Sequence, residues 1–284
     1  MYNDLFKPTH LQKLCQECSL NPSKKYGQNY LITEAPIKKM LEVAKIKKTD
    51  TVLEIGPGFG VLTLALAKEA KKVIAFEIER KLENYWQEKI VNKKLNNLEI
   101  IYGNALNKIQ DISNKIQQYK VVANLPYQIT SNILRKILEL ENKPESITIM
   151  VQKEVAERIC AKPGEMSVLA ISVQYFAEPI IITKVSRGSF WPSPKVDSAV
   201  LYIKIKNQKN KKSEKSEIDL FFRVVKAGFA NKRKQLWRNL SEGLQLDKDK
   251  VKNILKNKVG NEMIRAEELS VAQWKKIINN LDTK

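Results

Sequence analysis

The sequence is poor in the residues that most catalytic sites draw on. Its 284 residues include one histidine, His10, and three cysteines, Cys15, Cys18 and Cys160. A single imidazole leaves no Ser/His/Asp or Cys/His triad to assemble. Three thiols make no disulfide framework, which predicts a reducing, cytoplasmic compartment. Cys15 and Cys18 form one Cys-x-x-Cys five residues after His10, and a zinc site there would need the distant Cys160 as its fourth ligand. These thiols read as structural or free, and no metal is expected. Long apolar runs are also missing. None approaches the ~18–20 residues of a spanning helix, and the longest, such as 61–67, are short and end in charge. The N-terminal MYNDLFKPTHLQ has neither an apolar stretch nor a small-residue cleavage site, so no signal peptide is expected. Acid is scarce too: 31 Asp+Glu against 50 Lys+Arg leave a net charge of +19. With a membrane role set aside, that excess points to nucleic acid.

Hydrophobic residues at 43% suffice for a sizeable core. From position 49 to about 206, β-branched runs alternate with helical periods. Thr51–Ile55, Lys72–Glu77, Leu98–Tyr102, Lys120–Asn124 and Ser146–Gln152 read as buried strands, with helices over 61–70, 80–92 and 131–140. This alternation predicts an α/β fold with a doubly wound parallel sheet. Two further strands, 180–185 and Ser198–Ile205, come without a helix between them and predict an antiparallel, hairpin-like final pair. Residues 1–25 read as a polar arm packed loosely on a catalytic domain ending at 206. The apolar-free, Lys-dominated 207–217 reads as a linker. Helical periods over 218–229, 234–240, 248–256 and 271–281 make 218–284 a small helical domain, with Ser270 as an N-cap.

The sharpest local signal is Val52-Leu53-Glu54-Ile55-Gly56-Pro57-Gly58-Phe59-Gly60, a strand running into a glycine loop that opens a helix at Val61. Glycines there allow close backbone approach to a ligand. The dinucleotide pattern fails because Val61 stands where its third glycine belongs, and the phosphate-binding G-x-x-x-x-G-K-[ST] is absent. What remains is E-x-G-x-G-x-G, the loop of S-adenosylmethionine-dependent methyltransferases. The next strand ends at Glu77, twenty-one residues past Gly56, where a carboxylate can accept from both ribose hydroxyls. Asn104, ending the third strand, would sit at the same edge beside adenine, or serve as a turn residue.

The fourth strand runs into Asn124-Leu125-Pro126-Tyr127. The Asn124 amide oxygen and the carbonyl of Leu125 or a neighbour can accept the two hydrogens of an exocyclic amine. Pro126 fixes the turn and leaves a carbonyl free, and Tyr127 stacks on the heterocycle. An aromatic amine is a poor nucleophile because its lone pair is delocalised, and acceptors on its hydrogens favour the tetrahedral nitrogen of the transition state.

Five ordered motifs resemble the ribosomal RNA adenine dimethylases of the kasugamycin-dimethylase type, across nearly the whole chain. Gly27-Gln28-Asn29-Tyr30-Leu31 resembles the family's GQNFL, which implies that Asn29 and Leu31 line the cofactor site beside Gly56 and Gly58. Asn-Leu-Pro-Tyr at 124–127 is the family's catalytic motif. The stretch from Val151 to Arg158 matches the segment after the fifth strand. Phe190 to Val200, FWPSPKVDSAV, resembles F-x-P-x-P-K-V-D-S and implies that Phe190 packs against a flipped target base. The runs from Asn231 to Leu236 and from Arg265 to Ser270 echo the basic helical tail. Asn104 departs from the family's usual Asp, Gln128 from Asn or Tyr, and a short Tyr-Gly-containing stretch is missing after Gly164.

The resemblance implies N6,N6-dimethylation of two adjacent adenosines near the 3′ end of small-subunit (16S) ribosomal RNA in the 30S particle, with S-adenosyl-L-methionine as donor, by a cytoplasmic monomer. A large-subunit dimethylase of the antibiotic-resistance type and a ribosome-assembly factor with secondary catalysis are the alternatives. Residues 204–240 hold twelve Lys/Arg against three Asp/Glu. Within them Lys232, Arg233, Lys234 and Arg238, on one amphipathic segment beside Trp237, are the expected RNA contacts.

Overall fold

The computed structural model describes residues 3–21, 28–206 and 215–281. Gly27, residues 22–25 of the expected arm and residues 207–214 of the expected linker lie outside them. In chain order the elements are α1 (Pro8–Glu17), β1 (Tyr30–Leu31), α2 (Ala35–Ala44), β2 (Thr51–Ile55), α3 (Val61–Glu69), β3 (Lys72–Glu77), α4 (Glu83–Asn92), β4 (Leu98–Tyr102), α5 (Ala105–Ser113), β5 (Lys120–Asn124), α6 (Thr130–Glu139) and β6 (Ser146–Gln152). There follow α7 (Lys153–Ile159), α8 (Val168–Phe176), β7 (Ala177–Val185), β8 (Phe190–Trp191), β9 (Ser198–Ile205), α9 (Lys215–Gly228), α10 (Leu236–Leu244), α11 (Lys248–Val259) and α12 (Val271–Ile278).

Two compact units result, Met1–Ala156 with Glu178–Ile205, and Glu157–Ala177 with Lys206–Lys284. The first is built on a seven-stranded sheet of order β4-β3-β2-β5-β6-β9-β7. Strands β4 to β6 run parallel, and β9 lies antiparallel to β6 from Ser146↔Lys204 to Gln152↔Ser198. The five parallel strands fall where β-branched runs predict them. The order 3-2-1-4-5 of these strands places the reversal between β2 and β5, so their carboxyl ends flank a crevice where ligands bind in such sheets.

The two final strands are neighbours at the end of the sheet, as expected of a hairpin-like pair, with β9 against β6 and β7 at the edge. Composition explains this order. Ser198 to Leu201 are all buried, as a central strand requires, whereas β7 carries Glu178, Pro179 and Lys184 and forms the edge. Two helices, α7 and α8, also precede β7.

The N-terminal residues are not a loosely packed arm. Leu5, Leu11, Leu14, Cys15 and Leu20 all belong to the hydrophobic core of the first unit. Pro8 opens α1 at a position where its missing N–H costs nothing, and Leu11, Leu14 and Cys15 follow at helical spacing on one face. Lys81 Nζ donates to Ser19 O at 2.8 Å, fastening the end of the segment.

In the second unit, α9 to α12 bury Val224, Val225, Leu236, Leu240, Val251, Leu255 and Trp274. Tyr175 of α8 packs against Phe221 with ring centroids 4.4 Å apart. Ser270 caps α12 in a reciprocal capping box with Gln273, as its position predicts.

Candidate active site

The glycine loop turns sharply because all three of its glycines are left-handed, with φ of +74° at Gly56, +55° at Gly58 and +90° at Gly60. At Gly60 the space is closed as well: a Cβ would lie 2.4 Å from Trp86 Cη2. The loop is held from outside. Trp86 Nε1 donates to Gly58 O at 3.1 Å and the Tyr85 hydroxyl to Phe59 O at 2.7 Å.

Glu77 braces it from within. Its Oε2 accepts the Gly58 N–H at 3.1 Å and its Oε1 the Glu79 N–H at 2.8 Å. Burial pushes this carboxyl above the usual range, while the backbone donors at Glu79 and Gly58 pull it back. Each oxygen keeps a further lone pair, so the brace still permits acceptance from a diol.

Asn124 ends β5 beside Met150 of β6, and the Leu125 N–H continues that ladder to Met150 O at 3.1 Å. The Pro126 carbonyl is not free: it accepts from the Ile129 N–H at 3.2 Å and the Thr130 hydroxyl at 3.3 Å, closing the turn that starts α6. Tyr127 is anchored through its hydroxyl to Ser198 Oγ at 2.7 Å, and its ring is half-buried.

A small antiparallel ladder adds the remaining wall. β1 pairs with β8 so that Leu31 faces Phe190 and Tyr30 faces Trp191. Tyr30 packs on Phe59 of the glycine loop with centroids 4.8 Å apart. Residues about 160 positions apart in sequence thus meet over one loop.

These pieces line one open cavity. Its wall includes Asn29, Leu31, Gly56, Gly58, Glu77, Asn124, Leu125, Pro126, Tyr127 and Phe190. Asn104 is the exception among the expected cofactor residues. It is exposed, lies outside the cavity wall, and its Oδ1 accepts the Leu106 N–H at 3.0 Å as the N-cap of α5.

Residues that sequence reasoning passed over also line the cavity. Leu5 and Leu11 come from the N-terminal segment, where the helical spacing around α1 was the available signal. Glu54, the first residue of E-x-G-x-G-x-G, contributes a fully buried carboxyl.

The Cys-x-x-Cys pair is part of the core packing, with Cys15 buried on α1 and Cys18 at its C-cap. Burial pushes the Cys15 thiol up to about 11, away from the thiolate a metal would need.

Over residues 20–283 the chain matches the family model described as ribosomal RNA adenine dimethylase. The chain belongs to the ribosomal RNA adenine dimethylase family. It is a methyltransferase, and the family implies S-adenosylmethionine as the methyl donor. A Dehalococcoides mccartyi protein named "Ribosomal RNA small subunit methyltransferase A" is 40% identical over 267 residues, covering 94% of this chain and 90% of that protein. A Fusobacterium nucleatum protein of the same name is 43% identical over 258 residues, covering 90% and 96%. Among solved structures, a dimethyladenosine transferase from Plasmodium falciparum superposes with a TM-score of 0.74 at 26% identity, covering 87% of this chain and 95% of that one. The 23S rRNA methyltransferase ErmE superposes with a TM-score of 0.69 at 25% identity, covering 89% and 99%.

In the dimethylase's second unit, Lys232, Arg233 and Lys234 are exposed in the turn before α10, and Arg238 is exposed within it. The helix starts at Leu236, two residues later than its period suggests, so the first three cations do not share its amphipathic face. Asn239 fastens that turn by donating to Gly228 O at 2.7 Å and Asn231 O at 3.0 Å. Lys234 pairs with Glu242 at 3.1 Å and Lys232 with Glu267 at 3.8 Å. The Trp237 ring carries Arg238 at 5.0 Å and Lys252 at 4.4 Å from its centroid. Among the described residues no helix is long and apolar enough to cross a membrane.

Proposed function

We propose that this chain transfers methyl groups from S-adenosylmethionine to N6 of two adjacent adenosines near the 3′ end of small-subunit ribosomal RNA. It acts on the maturing 30S particle in the cytoplasm, as a monomer, and needs no metal. The observation that carries the reading is that the Asn124–Tyr127 clamp and the Glu77-braced glycine loop line the same cavity. The choice of the small subunit rests on the relatives of about 40% identity that bear that name.

The residues present fit the cofactor. In this reading Glu77 receives the ribose hydroxyls on the lone pairs its backbone donors leave, and the left-handed glycines admit close backbone approach. When bound, the cofactor supplies an electrophilic methyl on a sulfonium centre. Asn124 Oδ1 and the Leu125 carbonyl accept the two N6 hydrogens, turning the nitrogen lone pair out of conjugation and toward the methyl. Tyr127, held by Ser198, stacks on the adenine, and Phe190 supports it from the β8 side. The amine nitrogen that received the methyl would be acidic and would lose its proton to solvent. No strong base is required.

Labelled cofactor offered in parallel with immature 30S particles, 50S particles and duplex DNA tests the assignment. Label in 30S RNA, released as N6,N6-dimethyladenosine on digestion, is the expected result. Label in 50S RNA alone would favour the large-subunit reading, and label in DNA alone would overturn both.

A further inference from the structure

Glu54 is a wall residue of the cavity with 1% of its surface exposed, and its Oε2 has no hydrogen-bond partner. The Thr63 hydroxyl on α3 is buried as well. A buried carboxylate normally recruits a cation or several donors, since an unpaired one is strongly disfavoured. None is at hand. Among the described residues the cavity wall holds two acids, Glu54 and Glu77, and no Lys, Arg or His, in a chain of net charge +19.

The surroundings on every side agree. Adjacent β3 presents Glu77, a like charge, and α3 presents the neutral Thr63. Tyr30 and Tyr127 share the wall, and burial holds both phenols neutral. The cations of the flanking strands sit at their far ends, Lys72 paired with Glu99 at 2.7 Å and Lys120 with Asp50 at 2.8 Å. Lys68 and Glu69 lie in the last turn of α3, away from the loop.

We propose that Glu54 is protonated in the empty cavity and gives its proton to solvent when the cationic methionine end of the cofactor enters, so that cofactor capture and the loss of one proton are one event. Glu77, tied by two backbone N–H groups, stays the ribose acceptor, and Glu54 is the charge that answers the ligand's charge. The inference rests on the cofactor reading above. Burial, with Glu77 adding to it against the weaker pull of Thr63, puts the Glu54 carboxyl at about 8, which agrees with a neutral acid at neutral pH. The linkage has a definite sign. Below about 8 the free protein holds the proton and the complex does not, so affinity rises with pH by up to ~10-fold per unit and levels off above that value.

Calorimetric titration with S-adenosylmethionine near neutral pH, repeated in phosphate and in Tris, counts the protons released. The wild type is expected to release about one, and Glu54→Gln none. A difference infrared spectrum of the unaltered protein supplies the measurement that needs no variant: a protonated-carboxyl band should vanish on cofactor binding. Cofactor binding without proton release or loss of that band overturns the inference and leaves the cofactor reading intact. Equal release by wild type and Glu54→Gln assigns the proton elsewhere and also overturns it. Absence of any binding by the wild type defeats the cofactor reading and the inference with it.

Discussion

Replacing Glu77 with glutamine separates a loop brace from a cofactor ligand. The carboxylate accepts one backbone N–H on each oxygen, Glu79 at 2.8 Å and Gly58 at 3.1 Å. Glutamine has one oxygen, so its NH₂ must face one of those N–H donors, and a buried donor left unpaired costs ~1–3 kcal/mol. Working against that loss, the fold buries the charge and pushes the carboxyl's pKa up, a cost the neutral amide avoids. The two effects oppose, and the expected net loss of stability is at most ~1–2 kcal/mol. Cofactor affinity has no such offset. A ribose hydroxyl donating to a carboxylate makes a charge-assisted bond worth ~1.5–3 kcal/mol, so losing one weakens binding by ~10–150-fold. Calorimetry with S-adenosylmethionine and urea unfolding without it, on the same preparation, measure the two quantities separately. Affinity within twofold of wild type, alongside a clear loss of stability, would show that Glu77 only braces Gly58 and would refute the ribose assignment.

Five further outcomes are expected. Asn124→Ala should reduce methyl transfer by ~10²–10³ while cofactor affinity, by calorimetry, stays near wild type; Phe190→Ala should chiefly weaken substrate capture, by ~1–3 kcal/mol in binding to immature 30S particles. Gly60→Ala must displace Trp86 and force an L-residue to φ +90°, so urea unfolding should show a loss of ~1–3 kcal/mol or more. Charge reversal at Lys232, Arg233, Lys234 and Arg238 should lower 30S affinity and reduce the log–log salt slope by ~0.7–0.9 for each phosphate that is no longer neutralised. Lys232 and Lys234 already face Glu267 and Glu242, so the arginines should contribute the larger share. At Asn104 the cap role implies that Asn104→Leu lowers stability by ~1 kcal/mol with cofactor affinity unchanged. Tighter cofactor binding by Asn104→Asp and weaker binding by Asn104→Leu would assign this residue to adenine instead.

What the sequence determined by itself was local. The runs that became β2, β3, β5 and β6 are rich in apolar and β-branched residues because a strand buried on both faces needs apolar side chains on both, whereas β4, also read as buried, lies at the sheet edge with only Leu98 buried. The glycine loop was legible because three closely spaced glycines mark a backbone that other residues cannot follow, and the clamp because Asn-Leu-Pro-Tyr falls at a strand's carboxyl end. Tertiary structure decided the rest. Leu5 and Leu11 look like isolated leucines in a polar arm until the turn before α1 and α1 itself pack them into the cavity wall. The pairing of β1 with β8, which sets Leu31 opposite Phe190, joins two-residue strands too short to announce themselves by period. Which of β7 and β9 lies inside the sheet turned on which strand could lose access to water on both faces. Asn104 had two uses open to it, and the nearby start of α5, with its unpaired N–H groups, engaged the side chain as a cap. Glu54 reads in sequence as the first letter of a motif. Only the folded surroundings show a carboxyl with no cation to meet it, since charge compensation is a property of what lies nearby in space.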